Sequence, residues 1–548
     1  MPGKLRWSCF GACLTLFLTG EAIPAAAQAR NQPRGGLAAT GQPLPGSAPA
    51  RLWVRLRDES GQPLAARIYL TDGDGNACVP SGTILRQGRA RERYFHAAGE
   101  FKVDIASDSA VVEAVKGFEY LPVRQQVRLM PDQTAAVTLT LRRTNDMPAL
   151  GWHSGDVHMH PNHRLGGLYI GMEDSLLLAA GEDIRVANLL ISSVGDIAHV
   201  FDTELFRGGK PDPLSTPETL LVVQEEFRNT SAMYGHMALL GISRLVEPFF
   251  SGQPNSSYWE DYPPNYTIAR KAKEQGAAVA YLHPSSGPGI PSGYHVAREF
   301  PIDLALGVVD ALDVLSNLDE EGACWIYYKV LNSGLKCTAS AGTDSQMDGI
   351  RAATPGGSKV YVKAGNPLTY ETWVAAYKAG RTFVSNGPLL WLEVGGKEPG
   401  EEIRLPAPGA VEVVARTQSI VPIETLELIV NGQVVAAAKP SADGSRAELR
   451  TKLSLENSSW VAARVWGPGH RLVMNDPKAF AHTSPVYCYV GNRPIALPED
   501  ARVLVTWIDG LIEDVRKSPR FESETRRQEV IALFEKGQEY YRKVAAGE

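Results

Sequence analysis

Short runs that alternate apolar and polar positions open the patterned part of the chain. Leu52-Trp53-Val54-Arg55-Leu56, Ala66-Arg67-Ile68-Tyr69-Leu70 and Ala136-Val137-Thr138-Leu139-Thr140-Leu141 repeat with a period of two, and turn clusters such as Asp72-Gly73-Asp74-Gly75-Asn76 separate them. That pattern predicts a small antiparallel β-sandwich over residues 51–143. From 148 to 390 apolar runs alternate with helical stretches. The runs 186–191, 277–282, 308–314 and 335–341 read as buried strands, while 265–275 and 369–379 read as helices, one preceded by Pro263-Pro264 and the other ended by Gly380. Alternating β and α over this length predicts an α/β barrel whose chemistry stands where strands end. Residues 391–495 return to alternating runs with Asn431-Gly432 between two of them, which predicts a hairpin within a second β-sandwich. Residues 499–548 carry two amphipathic stretches split near Pro519 and predict a helical tail.

The N-terminus changes this picture. Lys4 and Arg6, an apolar run from Cys9 to Leu18, and Ala27-Gln28-Ala29 predict a signal peptide over 1–29, so the expected location is periplasmic or extracellular. The run is too short to span a bilayer, and no membrane span is expected after its removal. Residues 30–50, rich in Gly, Pro, Ala and Gln, read as a flexible linker. The formal net charge of −6 and the lack of any basic run exclude nucleic acid as the expected partner. Cys9 and Cys13 depart with the leader; Cys78, Cys324, Cys337 and Cys488 remain, with Cys324 and Cys337 the one pair close in sequence and four buried thiols the alternative. Asp72, Asp74 and Asn76 alternate like a calcium loop but lack a glutamate at its twelfth position, so turn chemistry accounts for them. Gly61-Gln62-Pro63-Leu64-Ala65-Ala66-Arg67 resembles the start of carboxypeptidase-regulatory-like sandwiches.

Candidate chemistry concentrates in the barrel. Of the 11 histidines, His153, His158, His160, His163, His199, His236, His283 and His295 all fall between 153 and 295. On a strand, His158 and His160 of Gly155-Asp156-Val157-His158-Met159-His160 point to one face and present two imidazoles to one point. Glu225-Glu226-Phe227-Arg228-Asn229 with Gly235-His236, Tyr281-Leu282-His283-Pro284, and Gly342-Thr343-Asp344-Ser345-Gln346 each end or follow an apolar run. Imidazoles with carboxylates suit zinc, manganese or iron poised for hydrolysis. His153 and Asp156 are candidates to orient the ligands. His163 reads as a pocket acid or a surface residue, and no role is assigned to His295. Arg164, Arg228 and Arg351 are candidate partners for an anionic substrate; Trp152, Tyr169, Trp259, Tyr262 and Tyr294 are candidates to line an apolar or sugar-binding pocket.

In that order the motifs resemble the polymerase-and-histidinol-phosphatase (PHP) superfamily of metal-dependent hydrolases, within it the CehA/McbA branch of carbaryl-hydrolase-like secreted enzymes. The resemblance covers roughly 151–390. It implies a distorted TIM-like (β/α)7 PHP barrel, here flanked by two β-sandwich domains and a C-terminal helical tail. It also implies a first metal held by His158, His160, Glu226 and Asp344 and a second by Glu226, His236 and His283, with Glu226 bridging in preference to Glu225. The chain departs from the family pattern at Ser193-Val194-Gly195-Asp196, where a Thr-Asp-His is usual, and at Gln346, where a His is usual. Both changes fall on the third metal of trinuclear members and point to a site of two metals, or one. The expected reaction is attack of a metal-activated hydroxide on an ester, carbamate or amide of a small-molecule, ester-like substrate. Asp344 and His283 carry the catalytic roles there, and Arg228 and His163 bind substrate. A phosphoesterase on the same scaffold and, in another class, a decayed extracellular binding protein are the alternatives.

Overall fold

The computed structural model describes residues 49–163, 168–194, 197–293 and 295–548. The expected leader, nearly all of the expected linker, Arg164, Gly195, Asp196 and Tyr294 lie outside the described residues. The chain folds as a mixed α/β protein made mostly of sheet, with seven α-helices among the described residues.

In the N-terminal region the period-two runs form two sheets. Ala50–Arg57 lies between Glu100–Ile105 and Thr134–Thr140 and buries Leu52, Val54 and Leu56; it runs parallel to Thr134–Thr140, which corrects the expectation of a wholly antiparallel sandwich. A five-stranded sheet centred on Ala65–Asp72 faces it, and the two inner faces share one apolar cluster. The five-stranded sheet meets the rest of the molecule through charge. Arg67 and His96 pair with Glu182 at 3.2 and 2.7 Å, and Lys116 and Arg143 lie 3.7 and 3.4 Å from Asp183. Most of these side chains are buried, so removing one partner would strand the other. They hold the end of helix α1 (Met172–Gly181), the element between the first two strands of the site.

Seven strands build the curled sheet that carries the site. They are β1 (Trp152–His160), β2 (Val186–Ile191), β3 (Leu220–Asn229), β4 (His236–Leu240), β5 (Ala278–Tyr281), β6 (Ala311–Leu315) and β7 (Thr338–Ala341). Each pairs with its successor, and all pairs are parallel except β3–β4 and β4–β5. The curl returns on itself where Ser345 and Gln346, just after β7, pair with Met159 and His160 of β1. Strict alternation of strand and helix is broken at two places. The turn from Asn229 to His236 is too short for a parallel crossover, so β4 must reverse. The β2–β3 link holds Ser193–Val194 paired antiparallel with Ile197–Val200 and, among the described residues, no α-helix. Helix α2 (Asn265–Lys273) precedes β5, α3 (Phe300–Ala305) precedes β6, and α4 (Glu320–Asn332) precedes β7.

On its other edge β1 pairs antiparallel with β8 (Lys359–Lys363), and β8 pairs with β9 (Thr382–Ser385); helix α5 (Tyr370–Lys378), capped by Thr369, joins them. In the region expected as a second β-sandwich, residues 391–495, one sheet continues the curled sheet, because Ala479–Thr483 pairs with β9. The region's other sheet is Leu389–Val394, Gly409–Gln418 and Arg446–Leu455. The Asn431-Gly432 turn joins Thr425–Val430 to Gln433–Ala438. The tail forms α6 (Pro498–Lys517) and α7 (Glu524–Ala546), which pack on the barrel: Trp507 Nε1 donates to Arg298 O at 2.9 Å and the Tyr541 hydroxyl to Pro301 O at 2.7 Å. Among the described residues no helix is long and apolar enough to cross a membrane. Cys78, Cys324, Cys337 and Cys488 are all free thiols, so Cys324 and Cys337 do not pair; Cys78 is half-buried.

Candidate metal centre

β1 sets the centre of the site. It bulges between Asp156 and Met159, where its register with β2 shifts, and bulges beside a site re-aim side chains. His158 Nε2 and His160 Nε2 then stand 2.9 Å apart. His160 Nδ1 lies 2.9 Å from Leu190 O; a carbonyl only accepts, so the ring proton sits on Nδ1 and Nε2 keeps its lone pair for the site. Asp344 Oδ1 lies 3.3 Å from His158 Nε2 and 3.4 Å from His160 Nε2. Glu226 Oε2 approaches the same nitrogens at 3.7 and 3.3 Å, and Glu226 Oε1 lies 3.0 Å from His236 Nδ1.

Two groups of ligand atoms converge within 4.8 Å: His158, His160 and Asp344, and His158, Glu226 and His283. His236 stands on the far side of Glu226 and His283 packs its ring 5.1 Å from that of His236. His283 Nδ1 is buried without a hydrogen-bond partner, a state that a ligand nitrogen leaves on binding a cation. His283 and Asp344 hold their side chains from left-handed backbone, at φ 29° and 47°, strain of the kind that persists where the surrounding structure over-determines a site. Glu225, one residue from Glu226 on β3, turns away and accepts Val246 N at 2.7 Å.

Electrostatics point the same way. Burial works to lower the His158 pKa, yet Asp344 and Glu226 overcome it and raise it to about 9. Burial opposes ionisation of Glu226, but the charges of Arg228 and His158 hold it well below the usual carboxylate range. Asp344, half-buried, is lowered too, against the desolvation around it, by His158, His160 and His283. The cluster thus demands positive charge at its centre. Nitrogen and carboxylate donors at these separations fit one or two borderline divalent cations.

The remaining candidates divide. Asp156 lies behind the ligands: Oδ1 accepts His158 N and Thr343 N, each at 3.1 Å, while Oδ2 accepts the Thr343 hydroxyl at 2.6 Å and Gly356 N at 2.9 Å. It orients the site through the backbone on either side of it. His153 takes no part and bonds Gly365 O. His163 is no surface residue. Its ring stacks on His160 at 4.2 Å, its Nε2 meets the Ser192 hydroxyl at 3.0 Å, and burial lowers its pKa to about 2. His199 is exposed and meets the Phe201 ring edge-on. Arg228 Nε lies 3.8 Å from Glu226 Oε1, whereas Arg351 is drawn off to Gln87. Trp152 is buried against Phe383 and Tyr262 bonds Glu529, so neither lines the site; Tyr169 and Trp259 are exposed. One residue escaped the sequence reading: Asp313 is fully buried on β6, and burial raises its pKa to about 7; a carboxylate inside the apolar run 308–314 was the signal. His295, one of the clustered histidines and left without a role, sits in a loop beside His236.

No family model matches the chain, and no curated protein matches it. Among solved structures it is similar to a two-domain protein containing a predicted PHP-like metal-dependent phosphoesterase from Bacteroides vulgatus, with 14% identity and a TM-score of 0.30, over 61% of this chain and 96% of that one. It is also similar to GBS52, the minor pilin of Streptococcus agalactiae, with 14% identity and a TM-score of 0.16, over 18% of this chain and 47% of the pilin. The match therefore spans about half of the pilin's length, and at these scores neither likeness carries weight beside the geometry of the site.

Proposed function

We propose that this chain is a metal-dependent hydrolase that cleaves an ester, carbamate or amide bond of a small molecule. The observation that carries the reading is the convergence of His158, His160 and Asp344, and of His158, Glu226 and His283, each within 4.8 Å. His158, His160 and Asp344 would hold one cation; Glu226 and His283, with His236 beside them, a second. Cations held there lower the pKa of a coordinated water and polarise the oxygen of the bond under attack. The chain's own groups do the rest. Asp344, whose side chain is 39% exposed while the imidazoles are buried, faces the open side, where it orients the attacking water, takes its proton and returns it to the leaving group. Arg228 lies beside Glu226 and reaches the oxygens of the substrate.

The motif order that resembles the PHP superfamily supports this reading, as does the charge the cluster demands. A carbon centre is favoured because, of the two candidate cations among the described residues, Arg228 alone stands at the site. Arg228 is also the one observation that favours the second reading, a phosphoesterase. Export follows in this proposal from the leader pattern in residues 1–29.

The test is elemental analysis of protein purified without chelator, beside His158→Ala, followed by a panel of esters, carbamates, amides and phosphoesters. About two equivalents of divalent cation in the parent, a fall in the variant, and turnover that a chelator abolishes are expected. A parent that neither carries nor takes up zinc, manganese or iron would leave a binding protein as the better account.

A further inference from the structure

Three observations meet at His295. The first is its place: backbone 296–297 lies flush on Gly235, the residue before His236, so closely that a Cβ at Gly235 would sit 2.6 Å from Val296 O. Ala297 N also donates to Pro284 O at 3.1 Å, next to His283. The segment is clamped between the two ligand-bearing turns. The second is its backbone, left-handed at φ 73°, a conformation uncommon outside glycine that histidine, like asparagine and aspartate, adopts more readily than other residues. The third is where the ring goes. His295 Nδ1 stands 3.3 Å from His236 Nε2, with ring centroids 4.7 Å apart.

We infer that His295 is the positioning residue of His236, accepting the His236 Nε2–H at its own Nδ1 and so leaving His236 Nδ1 as a ligand atom beside Glu226. This rests on the metal-site reading above. A neutral imidazole carries one ring proton. With that proton committed to His295, His236 Nδ1 turns a lone pair toward Glu226 Oε1 at 3.0 Å, and two acceptors that close need a cation between them. His295 belongs to neither group of converging ligand atoms, which assigns it to orientation and not to ligation. The arrangement gives His236 what Leu190 O gives His160.

The experiment is a cobalt(II) titration of the chelator-treated full chain, followed by visible absorption and by competition with a chelating dye. His295→Asn keeps an acceptor on Cγ, where histidine carries Nδ1, and asparagine tolerates the left-handed backbone; His295→Leu removes the acceptor. The leucine variant is expected to bind the second equivalent about 10- to 100-fold more weakly with an altered cobalt spectrum, and the asparagine variant to stay close to the parent. In a His236→Ala background, His295→Leu should add no further loss. Should the leucine variant not fold, His295→Gln, whose amide lies one bond beyond the Nδ1 position, serves as the removal variant. Parent-like titration of the removal variant, an asparagine variant as weak as leucine, or additional loss in the His236→Ala background each overturns the inference while leaving the hydrolase reading intact. No cobalt uptake by the parent overturns both.

Discussion

Asp156 touches no candidate cation, yet it holds the cluster together. Its carboxylate accepts three backbone N–H groups and one hydroxyl, tying the strand that carries His158 to the loop that carries Asp344. Asp156→Ala would leave those buried donors without partners, at about 1–3 kcal/mol each. Chemical denaturation should show a loss of several kcal/mol, and metal affinity should fall about 10- to 100-fold. Much at this scale was legible beforehand. His158 and His160 share a face because strand neighbours two apart do so, and Asp344 and His283 stand after apolar runs. Other residues were not legible. Glu225 and Glu226 are chemically identical in sequence, and the direction each faces is settled by the pairing of β3. His295 reaches His236 only because a loop folds back on Gly235, a contact between distant segments that leaves no periodic trace.

The elements bring these residues within reach through close approaches. Gly342 follows β7, and a Cβ there would lie 2.5 Å from His158 Cβ and 3.1 Å from His158 N. Gly342→Ala must therefore push the Asp344 loop away from β1. A destabilisation of about 1–3 kcal/mol is expected, together with loss of bound metal, measured by thermal unfolding and elemental analysis on one preparation. If the metal stayed at parent levels, the approach would not be what sets the site. The individual elements were the readable part of the fold. The runs 277–282 and 335–341 contain β5 and β7, and the stretches after Pro264 and Thr369 are helices. Their connectivity was less readable: apolar periodicity marks a strand without marking its direction, so the reversal of β4 had to come from the short turn before it. The bulge in β1 was likewise invisible, since it depends on the partner strand.

At the scale of the molecule, one core runs through the barrel and the C-terminal helices: Val279 and Leu312 belong to the same apolar cluster as Trp507, Leu511, Phe534 and Tyr541. The seam with the last strands carries several buried polar groups, the Thr382–Ser484 and Asn386–Asp476 pairs and His482 among them. His482, opposite Val384 of β9, is buried between the Tyr328 hydroxyl at 2.8 Å and Thr483 O at 2.7 Å. Burial, aided by the Arg464 charge, lowers its pKa from the ordinary 6.5 to about 3. The unfolded chain binds a proton at this residue below pH 6.5 while the folded chain does not, so stability falls as the pH drops through that window, by up to about 1.4 kcal/mol per unit from this group. His482→Gln should flatten the pH dependence of urea unfolding between pH 6.5 and 4; an unchanged slope would mean that His482 is protonated as readily folded as unfolded. The composition of the chain bounded its class, but this seam could not be read from it, because alternating runs after residue 390 fit a separate sandwich and a continued sheet equally well. The continued sheet has a consequence for where the chain can be cut. A fragment ending at residue 390 keeps β9 but loses Ala479–Thr483, its neighbour on one side, and so exposes a row of unpaired N–H and C=O groups that templates edge-to-edge association. Light scattering should show that fragment self-associating with rising concentration while the full chain does not. The strands after the barrel act, in this respect, as its guard against aggregation.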